Sequence, residues 1–185
     1  MAALRLAHDK PAAPALPREM GASHLTDADD LTFLRRAFEV ARRARQHGNH
    51  PFGALLVDAA GTVLIETENG FLPDRDATAH AERLLATQAC RRFDTATLAR
   101  STLYSSAEPC AMCAGAIYWA GIGRVVFGLS ERRLKGITGD HVENPTLDLP
   151  CRTVFAAGQR KTEVRGPLIE DEAAAVHAGA WDRDP

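Results

Sequence analysis

TLYSSAEPCAMCAGAIYWAGIGRVVFGL, residues 102–129 of a 185-residue chain, decides the fold. Thr102 to Ser106 predicts a strand and Cys110 to Ala120 a helix. Pro109 falls just before the first turn, where its missing N–H is no loss. Arg124 to Leu129 is an apolar run of the kind found in a sheet covered on both faces. Upstream, Gly53 to Asp58 and Thr62 to Asn69 flank Ala59-Ala60-Gly61 and predict a hairpin. Thr26 or Asp27 caps a preceding helix that runs to about Gln46, with Leu31, Leu34, Phe38 and Ala41 as its apolar stripe. Ala79 to Arg92 predicts another helix, and Ser130 to Lys135 a short one. Gly136 to Gly158 is irregular and carries Pro145 and Pro150. Thr162 to Arg165 and Leu168 to Trp181 supply a last strand and a last helix. Strands alternating with helices, opened by an antiparallel hairpin, predict an α/β fold: a three-layer α/β/α sandwich around a mixed sheet.

The length suits one domain with its own core. Residues 1–23, with Pro11, Pro14 and Pro17, read as a flexible extension, and residues 24–185 as the single domain. A formal net charge of −2 provides no general attraction to nucleic acid. Arg35, Arg36, Arg42, Arg43 and Arg45 lie mostly off the apolar stripe of the first helix and read as a solvated face. Four cysteines in a chain of this size make no disulfide framework, which points to a reducing compartment. No apolar run is long enough to span a bilayer, and Asp9, Lys10 and the prolines interrupt any secretory core. The expected location is the cytoplasm.

Two motifs carry the chemistry: His80-Ala81-Glu82 and Pro109-Cys110-Ala111-Met112-Cys113. They offer one imidazole, two thiols and a carboxylate that is not needed as a ligand. A catalytic zinc site has that composition, with three protein ligands, a fourth position left open and a proton carrier nearby. Cys110 and Cys113, three apart, point to one side of a helix. His80 and Glu82, two apart, serve one metal only if His80 sits at the helix start. Glu82 is the candidate for proton transfer. The competing reading is a closed structural zinc site with a fourth ligand from Cys90, Cys151, His50 or His141.

The pattern H-x-E followed by P-C-x-x-C resembles the zinc deaminases of the cytidine deaminase-like superfamily. The likeness extends from about Thr32 to Val126 and includes His50-Pro51-Phe52-Gly53-Ala54, Asn69, and Thr78 to Glu82. It implies a five-stranded mixed sheet between helices and hydrolytic deamination of a free nucleobase or nucleoside, with release of ammonia. One Zn2+ per chain would be held by His80, Cys110 and Cys113, with Glu82 as proton shuttle and Asn69 bonded to the base. Assembly as dimers or tetramers is implied, with a homodimer acting on a small molecule expected; the charge and the apolar-run lengths above lead to an expectation of neither nucleic acid nor membrane as partner. Simple cytidine deaminases carry Cys at the position of His80, and the riboflavin-pathway enzymes space their cysteines more widely. Guanine deaminases, tRNA adenosine deaminases and cytosine deaminases remain. Ala116 to Ala120 and Pro51 to Ala54 resemble the bacterial guanine deaminases, so guanine is the favoured substrate.

Phe52 and Trp119 are candidates to stack on a purine, and Ala54 is a further substrate contact. Asp140 and Glu143, with Asp148, are candidates to read the guanine edge. Ile122 to Gly128 resembles the tRNA enzymes, but the acidic C-terminal segment, with Glu170, Asp171, Glu172, Asp182 and Asp184, departs from their basic helix. A non-catalytic partner subunit is the remaining alternative, and the presence of Glu82 argues against it.

Overall fold

The computed structural model describes residues 25–139 and 141–182, so the extension predicted at residues 1–23 lies outside the described residues. Twelve elements are described: α1 (Asp27–Gln46), β1 (Gly53–Val57), β2 (Val63–Glu68), α2 (Ala81–Arg92), α3 (Thr95–Arg100), β3 (Thr102–Ala107), α4 (Ala111–Ala120), β4 (Arg124–Leu129), α5 (Glu131–Thr138), α6 (Cys151–Ala156), β5 (Glu163–Arg165) and α7 (Glu170–Ala175). The five strands form one sheet in the order β2-β1-β3-β4-β5. β1 runs antiparallel to β2 and β3, while β3, β4 and β5 are parallel. The sheet is therefore mixed, as the sequence predicts.

Strand alternation divides the core in two. Ala54, Leu56, Leu103, Val125 and Phe127 face α2, α4 and α6. Leu55, Val57, Tyr104, Val126 and Leu129 face α1, α5 and α7. Every side chain of β1 and β3 is buried, which explains why their sequences show no polar alternation. Gly53 admits no side chain, because a Cβ there would lie 2.6 Å from Ala41 N and 2.7 Å from Ala37 O. Helix α1 thereby packs directly on the first strand. Thr26 caps α1 in a capping box with Asp29. Ala37, Val40 and Ala44 widen the predicted apolar stripe, while Leu31 is only half-buried.

Several predicted boundaries move. α2 begins at Ala81, two residues late, because His80 keeps an extended backbone at φ −63 and ψ 145. α3 was not predicted, and α6 forms inside the stretch read as irregular. Each is six residues long, too short to show a period. α5 continues to Thr138. The final helix is shorter than predicted: it ends at Ala175 and a turn follows, in which Gly179 takes φ 63 and the carbonyls of Ala178 and Gly179 accept from Arg45 at 2.6 and 2.7 Å. The closing turn sets Trp181 against the His50 and His177 rings, at centroid distances of 5.5 and 6.1 Å.

One buried charge joins the layers. Asp30 of α1 is fully buried and accepts from both Nη atoms of Arg124 at 2.7 Å, from the Tyr104 hydroxyl at 2.7 Å and from Arg165 at 2.7 Å. Burial acts to raise its pKa, but the Arg124, Tyr104 and Arg165 contacts outweigh it and hold the carboxyl below the usual range. The carboxylate thus ties α1 to β3, β4 and β5 at once.

The arginine face of α1 is exposed, and most of its arginines are engaged. Arg35 pairs with Glu172, Arg36 with Glu66, and Arg43 with Glu66 and Glu68. The acidic C-terminal residues are occupied in the same way, Glu170 by Ser130 and Arg133, and Asp171 by Arg133. Their charge is therefore largely balanced within the fold.

Candidate metal centre and its cavity

Two helix starts meet beneath one end of the sheet. His80 is the N-cap of α2 and Cys110 the N-cap of α4, both extended, and Cys113 lies in the first turn of α4. The extended backbone at His80 lets it share one centre with Glu82, as the two-residue spacing requires. The His80 Nδ1 atom lies 3.6 Å from each of Cys110 Sγ and Cys113 Sγ. A tetrahedral zinc ion with sulfur at about 2.3 Å and nitrogen at about 2.0–2.1 Å sets its S···N edges at about 3.6 Å. The residues present therefore fit the ion. Among the described residues no fourth His, Cys, Asp or Glu joins this group. Cys90 is exposed, and Cys151 is buried in the core with α6. The arrangement is that of an open site rather than a closed structural one.

The electrostatics suit a cation. The hydrogen bond from the Cys113 thiol pushes Cys110 down to about 4, with His80 adding to the effect. Cys110 in turn raises His80. Glu82 is buried beside the three donors, its Oε1 accepting the Ser105 hydroxyl at 2.9 Å and its Oε2 lying 3.7 Å from Cys113 Sγ. Desolvation raises the Glu82 carboxyl above its ordinary value.

These groups open into a cavity of about 240 Å3. Its wall holds His80, Glu82 and Cys110, the apolar Phe52, Met112, Leu134 and Leu147, and the polar Glu108, Glu131, Asn144 and Thr146. Part of the stretch read as irregular, Asn144 to Leu147, thus lines the cavity directly. Glu131 was not singled out in the sequence, where a Glu after Ser130 reads only as the first turn of a helix. Burial, with the negative Cys110 and Glu108 nearby, pushes it up to about 7.

The remaining candidates separate. Phe52 is in the cavity wall. Asn69 is buried at the end of β2 and spends its Oδ1 on the Phe71 N–H at 3.1 Å, a local turn. Ala54 is fully buried in the core on β1, outside the cavity wall. Trp119 is 81% exposed on α4, neither in the core nor in the cavity wall. Glu143 turns to His50, 3.2 Å away, and lines a separate, larger hollow of about 390 Å3 that contains none of the motif residues. Asp140 lies outside the described residues, and Asp148 pairs with Lys135 on the surface.

Fold and donor set together define a zinc-binding deaminase. The family profile described as the cytidine and deoxycytidylate deaminase zinc-binding region matches residues 27–129, and the chain belongs to that family. It is 43% identical over 164 residues to a probable cytosine deaminase of Schizosaccharomyces pombe, covering 88% of this chain and 98% of that one. A tRNA-specific adenosine deaminase of Haemophilus influenzae is 36% identical over 70% of this chain and 79% of its own. The solved guanine deaminase of Nitrosomonas europaea superposes with a TM-score of 0.67 at 26% identity, covering 82% of this chain and 83% of that one.

Proposed function

We propose that this chain deaminates a free nucleobase, with cytosine as the substrate. The observation that carries the chemistry is the open His80, Cys110, Cys113 triad with buried Glu82 beside it in a cavity of about 240 Å3. Cytosine is supported by a likeness that runs through 98% of a probable cytosine deaminase, well beyond the matched zinc-binding region. Guanine is the second reading, supported by the fold shared with a guanine deaminase.

Zinc, when held by the three donors, would activate water at neutral pH. The rest falls to the chain. Glu82 takes a proton from the attacking water and delivers it to the ring nitrogen beside the amine-bearing carbon. A C–O bond forms at that carbon; Glu82 then takes the proton of the new hydroxyl and hands it to the departing amine, so that the C–N bond breaks as the carbonyl forms. Cytosine and water become uracil and ammonia. Phe52, Met112, Leu134 and Leu147 give the ring an apolar seat.

A small substrate rather than a nucleic acid is supported by the charges of the described cavity wall. That wall has three carboxylates and no Lys or Arg, and the α1 arginines are largely engaged within the chain. A panel of cytosine, guanine, adenine, cytidine, guanosine and a tRNA anticodon stem-loop, read by ammonia release, tests the assignment. Cytosine is expected to be turned over fastest. Turnover of guanine alone would replace cytosine, and turnover of the stem-loop alone would move the chain to RNA modification.

Helix α4 has no charged residue, yet Trp119 is 81% exposed and nothing approaches within 4 Å of where a Cβ on Gly115 would be. An apolar helix of this kind is normally covered on all sides. We infer a homodimer that covers this face, and a monomer in sedimentation at micromolar concentration would overturn it. The four unpaired cysteines support a reducing, cytoplasmic setting. No helix among the described residues is long and apolar enough to cross a membrane.

A further inference from the structure

Glu131, the first residue of α5, is only 9% exposed, and what remains accessible belongs to the wall of the catalytic cavity. Its backbone N–H is satisfied by Glu108 Oε2 at 3.2 Å, but no described residue hydrogen-bonds its carboxyl. The other two carboxyls of the cavity are committed. Glu82 is held by Ser105, and Glu108 accepts the backbone N–H groups of Glu131 and Cys151. Its oxygens are not sealed in the interior but open onto the cavity, where a ligand can supply the donor that the chain does not.

The chemistry of the substrate identifies that donor. In cytosine the amine-bearing C4 must meet the metal triad, and N3 must meet Glu82. Two polar atoms then remain on the ring: O2, an acceptor, and N1, which bears a hydrogen only in the free base. An ionised carboxyl repels O2 and attracts N1–H, and even a neutral carboxyl keeps an acceptor oxygen. We propose that Glu131 accepts the N1–H of cytosine and so selects the free base over its nucleoside, in which the sugar replaces that hydrogen. The assignment rests on the cytosine reading above and adds to it the residue that reads the glycosidic position. Glu131 is thus a binding residue, distinct from the proton shuttle Glu82.

The test compares cytosine, 1-methylcytosine and cytidine on wild-type enzyme, Glu131→Ala and Glu131→Gln, with zinc content and circular dichroism checked on each. Wild type is expected to favour cytosine over 1-methylcytosine by about 10- to 100-fold in kcat/KM, the range for one hydrogen bond to a charged group. Glu131→Ala is expected to lose about the same factor on cytosine, mainly through KM, while its rate on 1-methylcytosine stays near that of wild type. Glu131→Gln, which keeps an acceptor oxygen, is expected to recover much of the loss. Equal use of cytosine and 1-methylcytosine by wild type would overturn the proposal without needing any variant. An equal fall on both substrates in Glu131→Ala would overturn it too, since a merely structural residue behaves that way. Wild type that turns over guanine and ignores cytosine would instead sink the cytosine reading, and this assignment with it.

Discussion

Glu82→Gln should leave the zinc in place and lower kcat by about 10²- to 10⁴-fold, the range ascribed to a positioned acid–base group. The upper end is expected, because one carboxyl would serve both the addition of water and the loss of the amine. Glutamine preserves shape and an oxygen for the Ser105 hydroxyl, which now reaches Oε1 at 2.9 Å. None of the three metal donors is altered, and the site at the meeting of α2 and α4 stays intact. A variant with full zinc, native circular dichroism and a collapsed kcat separates the proton path from the scaffold. Turnover within about tenfold of wild type would remove Glu82 from the mechanism.

Asp30→Ala should cost about 3–5 kcal/mol of folding stability, the penalty for leaving buried charges without their partner. The total for a domain is about 5–15 kcal/mol, so the loss is a large share. Arg124, whose side chain is 11% exposed, would lose a two-pronged contact, and Tyr104 and Arg165 one each. Asp30→Asn keeps the shape but not the charge, and should cost less. The pH dependence has a definite sign. The folded carboxyl titrates below its unfolded value, near 3.9, so its contribution is complete above that value. It disappears as pH falls through the lower folded value. Urea midpoints at pH 7 and pH 3.5 check both statements, and an Asp30→Ala midpoint close to wild type at pH 7 would refute the keystone role.

What the sequence disclosed depended on range. His80, Glu82, Cys110 and Cys113 stand out because their chemistry is encoded in spacings of two and three residues. β1 and β4 were legible because short apolar runs in a chain that alternates strands with helices read as interior strands. Helices α3 and α6 were hidden because six residues do not complete two turns. Asp30 looks in sequence like one acid among several in the first turn of α1, and its partners lie 74 to 135 residues away. Glu131 was overlooked for the same reason: only the folded chain reveals which residues its side chain sits among. The outward position of Trp119 was equally hidden, since nothing in the apolar sequence of its helix marks the side that the fold leaves exposed.

The cavity wall comes from three separate stretches of chain, the first contributing Phe52. The donors and the proton carrier belong to residues 80–113, and Glu131, Leu134 and Asn144 to Leu147 to a run that starts only after β4. Because much of the wall lies outside the stretch that carries the metal donors, mutation there can reshape the cavity while sparing those donors. Relatives that share one ancestral reaction can thus diverge in diet through a few dozen nucleotides of gene.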